Sequence, residues 1–233
     1  ITEDMAERMT LPKTDNPADH PSNARRNAML LKIAQTCKRQ GSFHLATKKY
    51  TQAGEKVKAM KCLLKSGDTQ KIMFFAQVSR NKEIYILAAN YLQSLDWHSD
   101  AQIMKAIITS YGKARSYEQL SAFYDACAQA EIDEYRDYEK ALGCLKDAVK
   151  YAMKSRSADK QSRLEVLQQR VSVVERFVAA RKNVKTDPAE TVKVCHQLLD
   201  SNAVEGSIRQ GDVYALLVDY YYGQRNLEQA YAL

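Results

Sequence analysis

The sequence predicts an all-α protein, an irregular α-solenoid of antiparallel helical hairpins, and three observations carry that prediction. No proline occurs between Pro21 and Pro188. Proline costs about 3 kcal/mol inside a helix, so a stretch this long without it favours helix. Three of the eight glycines, Gly41, Gly54 and Gly67, fall thirteen residues apart. Apolar residues around them recur at helical spacing.

A thirteen-residue interval suits one helix of about ten or eleven residues, near 16 Å long, and a tight turn. Glycine after the last turn supplies the left-handed conformation that ends a helix. Ser42 and Asp68 then stand where the next helices need a cap. Within the units, Phe43, Ala46, Tyr50 and Ala53 share one face, and Lys48, Lys49 and Gln52 lie elsewhere. Ala59, Met60, Leu63 and Leu64 make the next apolar face, and Lys58, Lys61 and Lys65 line another. Leu30, Ile33, Ala34 and Cys37 form the partner stripe upstream.

Small and aromatic residues alternating in the second helix resemble the tetratricopeptide pattern, a two-helix unit of 34 residues. The 0, +4, +7 spacing returns at Ala141, Leu145 and Ala148. It is followed by Tyr214, Leu217, Val218 and Tyr221 ahead of Ala230. Ala46, Ala141 and Ala230 are 95 and 89 residues apart, so the repeat is irregular.

In chain order, residues 1–22 hold "LPKTDNPADHPSN" and are expected to be a linker or flexible segment without core. Residues 23–233 are expected to form one tetratricopeptide-like domain, part of a longer chain. Its helices are predicted at 24–40, 43–53, 56–66, 69–79, 82–95, 100–113, 117–130, 137–155, 159–183, 189–200, 209–222 and from 226 onward. Pro188 suits the first position of its helix.

The net charge of +7 is unevenly placed. Residues 24–82 carry fourteen Lys or Arg against Glu55 and Asp68, whereas residues 117–139 carry seven acids against Arg136. Such faces suit docking to oppositely charged partners, although exposed lysines are also ordinary on solvated helices. Lys58, Lys61 and Lys65, at i, i+3 and i+7, form the most defined basic stripe. Nucleic acid is a poor fit, because Phe43, Tyr50, Phe74 and Phe75 fall mostly on the expected core face, leaving few rings to stack on bases.

Chemistry is sparse. Cys37, Cys62, Cys127, Cys144 and Cys195 are odd in number, form no C-x-x-C and read as reduced, mostly buried thiols of an intracellular protein. His20, His44, His98 and His196 join no metal or catalytic motif, and Glu131, Asp133 and Glu134 lack the spacing of a calcium loop. No apolar run of about 18 residues predicts a membrane span. No catalytic, cofactor or metal residue is expected. Trp97 reads as a core residue at a helix end. Tyr220, Tyr221 and Tyr222 spread around a helix, so at least one is expected to be exposed, and Tyr222 joins the three lysines as a candidate partner-binding residue.

Longer phrases add a resemblance. "HLATKKYTQAG", "KAMKCLLKSGDTQKI", "KEIYILAANYLQSLDW", "FYDACAQAEIDEYRDYEKA" and "IRQGDVYALLVDYYY" resemble the intraflagellar transport protein 140 family of complex A subunits. The resemblance implies the C-terminal part of a helical tail that follows two β-propellers. It implies a non-catalytic scaffold in retrograde transport and ciliary cargo entry, with other complex A subunits as partners. Localisation at the cilium (axoneme and basal body) and in the cytoplasm follows from it, with membrane-protein cargo met through the full-length protein. A coat-type trafficking solenoid and a nucleic-acid-binding helical repeat are the alternative readings.

Overall fold

The computed structural model describes residues 1–12, 20–201 and 206–233, and every described element is helical. Two compact units divide the chain, Ile1–Ser116 and Tyr117–Leu233, where the sequence suggested a single repeat domain from residue 23.

The first unit holds α1 (Glu3–Arg8), α2 (His20–Arg39), α3 (Phe43–Gln52), α4 (Lys56–Ser66), α5 (Thr69–Ser79), α6 (Lys82–Leu92) and α7 (Ala101–Ala114). Successive helices from α2 onward pack on their neighbours, and α4 also reaches α6. Ala34, Ala46 and Ala59 are wholly buried beside Ile33, Cys37, Tyr50 and Cys62, so three helix backbones meet at their smallest side chains. Met60, Leu63, Ile72, Ile84, Tyr85 and Ala88 form the neighbouring core.

The glycine interval has the predicted cause. Gly41, Gly54 and Gly67 have φ of +77°, +81° and +71°. After α2 the Ser42 N–H donates to Cys37 O at 2.9 Å, and after α3 the Glu55 N–H donates to Tyr50 O at 2.9 Å. These bonds satisfy carbonyls that the ending helix leaves open. Asp68 accepts from the Lys71 N–H and caps α5, but the Ser42 side chain makes no capping bond to α3. Elsewhere arginine takes the left-handed position: Arg80, Arg115, Arg136 and Arg225 have φ from 49° to 58°.

The N-terminal segment differs from the expected coreless linker. Glu3–Arg8 is helical, and Ala6 is wholly buried in the α2–α3–α4 core. Residues 13–19 of the proposed linker lie outside the described residues. Ion pairs clasp α1 to α3. Lys48 Nζ lies 3.0 Å from Glu3 Oε1 and 2.9 Å from Glu7 Oε1. Lys49, placed by periodicity off the apolar face, is fully buried, with Nζ 3.2 Å from Glu7 Oε2 and 3.0 Å from Thr10 Oγ1. The covering helix therefore brings the acid that makes lysine burial tolerable.

The second unit holds α8 (Tyr117–Ala130), extended by a π-helical turn over Glu131–Tyr135, then α9 (Tyr138–Lys154), α10 (Lys160–Asn183), α11 (Pro188–Asp200), α12 (Gln210–Gly223) and α13 (Leu227–Ala232). Pro188 stands in the first turn of α11, as expected. Tyr138 ties distant segments together. Its hydroxyl donates to Asp212 Oδ2 at 2.6 Å and accepts from the Arg209 N–H at 3.1 Å. Its ring meets Phe177 edge-on at 4.8 Å. Arg170 on α10 bonds Asp125 and Gln129 on α8 and, at 2.8 Å, the Gly206 carbonyl.

Three apolar expectations change. Phe74, expected near the core, is 66% exposed. On α12, Val213 and Leu217 are buried, whereas Tyr214 and Val218 are each 37% exposed, so the inward face is set one residue earlier than proposed. Helix α6 stops at Leu92, which leaves the half-buried Trp97 in the following loop rather than at a helix end.

These geometries can be tested at two places. Arg115 is exposed and caps α7 in the left-handed region, so Arg115→Gly should raise stability by about 0.5–1 kcal/mol, seen as a higher urea midpoint of the first unit. No gain would mean the turn tolerates arginine without strain. Hydrogen bonds from Lys48, then Lys49, hold the Glu7 carboxyl below its ordinary 4.5. A depressed folded value means the clasp is complete above pH 4.5 and is lost as pH falls through that lower value. Exchange of α1 amide hydrogens, corrected for intrinsic pH dependence, should speed up there, and Glu7→Gln should already show faster exchange at pH 7.

Candidate protein-docking groove

Helices α2, α3 and α4 line an open groove of about 530 Å³ on the first unit. Gln35, Lys38 and Arg39 of α2 stand on one side, and Lys58, Lys61 and Lys65 of α4 on the other. Phe43 and Tyr50 of α3 contribute its aromatic surface. The helical periodicity that turns Ala59, Cys62 and Leu63 into the core turns the three lysines outward. Gly41 reverses the chain after Arg39 and so sets the last turn of α2 beside the start of α3.

The lining residues include five cations and no carboxylate. Among the described residues, carboxylates pair with these cations at two points. Glu55 Oε1 lies 3.2 Å from Lys58 Nζ, and Glu83 Oε1 lies 3.6 Å from Lys61 Nζ. Both pairs are solvent-exposed and worth little, on the order of 0.2–1 kcal/mol each. Among the described residues, Lys38, Arg39 and Lys65 form no ion pair.

Tyr50 and Cys62 are buried in helices that line the groove. Tyr50 is only 5% exposed, and its phenol is pushed up chiefly by burial. Cys62 is also buried, which raises its thiol, while Lys38 and Lys65 pull it back. Lys38 of α2 and Lys65 of α4 thus both act on this one thiol, from either wall of the groove.

Lys58, Lys61 and Lys65, singled out from spacing, are brought together here. Tyr222 belongs to α12 of the second unit, where it is 70% exposed, as the three-tyrosine run suggested. Tyr220 and Tyr221 beside it pack edge-on at 5.2 Å. Lys38, Arg39 and Gln35 were not singled out. The signal for the first two was present: a basic pair in the last turn before Gly41, where cations also complement the helix dipole.

The buried cysteines supply a check on this arrangement. Cys37 and Cys62, both raised chiefly by burial, should resist maleimide at pH 8 in the folded chain and react fully in denaturant. Fast labelling of either under native conditions, read by mass spectrometry, would contradict the packing beneath the groove.

Comparison with known families gives two adjacent matches. Residues 1–110 match the tetratricopeptide-repeat domain shared by intraflagellar transport proteins 140 and 172. Residues 118–233 match the C-terminal tetratricopeptide-repeat domain of intraflagellar transport protein 140. The interval between them, 111–117, contains the division between the two structural units.

Proposed function

Since this chain belongs to the intraflagellar transport protein 140 family, we propose that it is a scaffold segment of intraflagellar transport complex A, holding other complex A subunits together for retrograde ciliary transport and cargo entry. The observation that carries the reading is the pair of family matches, which fall on two stacked-helix units. Tetratricopeptide-type regions are typically non-enzymatic scaffolds for protein interaction, because stacked hairpins present long exposed surfaces on a continuous core.

The surface features are consistent with that role. The groove offers charge for choosing a partner and setting its register, and the half-buried Phe43 for one apolar contact. Exposed Tyr222 is an anchor of the kind that interfaces favour. Among the described residues no helix is long and apolar enough to cross a membrane. Membrane-protein cargo would be met through the full-length protein. The working place we infer is the cilium, at axoneme and basal body, and the cytoplasm that supplies it.

The chain, immobilised as bait in an extract of ciliated cells, should retain other complex A subunits above the level held by an unrelated tetratricopeptide protein. Mass spectrometry identifies what is held. Recovery of no complex A subunit would remove the assembly role from this segment.

A further inference from the structure

We propose that the basic groove of the first unit docks an acidic helix of a partner protein, one edge of which carries carboxylates at i, i+3 or i+4 and i+7 beside an apolar side chain. The proposal rests on the protein-binding reading above and adds to it the chemistry of one occupant.

Spacing, charge and shape agree on that occupant. Lys58 and Lys65 are seven residues apart on α4, about 10 Å along the axis, and Lys61 lies between them. Carboxylates one helical turn apart on a partner repeat at the same rise, so a helix laid along α4 meets all three lysines in register. Lys38 and Arg39 close the groove from α2, and the five lining cations have no lining acid. The rim pairs made by Glu55 and Glu83 are exposed and weak, so an incoming carboxylate can replace them. Half-buried Phe43 gives an apolar side chain a surface to cover.

The same features argue against a nucleic acid. Stacking on bases needs open ring faces, yet Tyr50 is only 5% exposed and Phe43 is half-buried.

The test uses the whole chain and a fluorescein-labelled amphipathic helix of about four turns, with glutamates at the stated spacing and one leucine edge. Anisotropy should report binding that weakens as salt rises from about 50 to 300 mM. Lys58→Glu/Lys61→Glu/Lys65→Glu should weaken it by about tenfold or more. Lys146→Glu/Lys150→Glu/Lys193→Glu, an equal charge change at exposed lysines of the second unit, should weaken it by no more than about twofold. Circular dichroism checks each fold, and Lys58→Gln/Lys61→Gln/Lys65→Gln replaces the reversal should that variant unfold.

Absence of peptide binding, or equal loss in both triple variants, would overturn the proposal. Tighter, groove-dependent binding of oligouridine or of phosphoinositide vesicles would overturn it too. The bait experiment separates the two readings. If the groove variant retains complex A subunits while the peptide fails to bind, the scaffold stands and the groove proposal falls. If wild type retains no subunit either, the assembly role falls with it.

Discussion

The close approach of helix backbones at small side chains is the constraint on which this fold depends. In the first unit Ala34, Ala46 and Ala59 are wholly buried where α2, α3 and α4 meet. A larger residue at any of them would force the helices apart, at about 1–3 kcal/mol for overpacking. Because these alanines sit at the centre, the larger side chains of each helix fall to its flanks. Tyr50, Cys62 and Ile33 then fill the remaining space, and the outer positions are left to lysine. Packing thus decides where charge can go before any partner is considered.

Chain reversal is the second half of the constraint, and it was only partly legible. Glycine at even intervals marks left-handed helix ends, so three turns could be placed from the sequence. Four further turns use Arg80, Arg115, Arg136 and Arg225 in the same conformation. No composition signal identifies such an arginine, because the residue is common on helix surfaces and tolerates the region only at an energetic cost. Those helices are legible instead from apolar periodicity and from capping residues such as Asn81, Asp100 and Asp137, which accept N–H bonds from the first turn.

What the sequence could not show depended on contacts distant along the chain. Lys49 reads as a surface residue in its own helix and becomes interior only because Glu7 and Thr10 cover it. Tyr138 resembles any buried tyrosine until Asp212 and Arg209, 74 and 71 residues further along, reach its hydroxyl. Phe74 errs the other way, apolar by type and 66% exposed in place. The groove divides along the same line. Its α4 wall was readable, since three lysines on one helix obey a local rule; the basic pair ending α2 was readable too, but that it lines the same groove is a consequence of tertiary packing.

A scaffold that works by stacking must recognise partners built by the same rule, and apolar contact alone gives little discrimination among helices with similar alanine and leucine faces. Charge placed at fixed helical intervals supplies what packing lacks. A partner helix of the proposed kind, slipped by one residue, would turn its carboxylates about 100° away from the lysines, so charge would enforce register at modest cost in affinity. Five cations held on two helices of one compact unit suit this purpose better than the same number spread over a loop, because the core fixes their separation. The buried alanines and the exposed lysines are therefore two consequences of one helical period, the first setting how the chain packs on itself and the second setting what it can accept from outside.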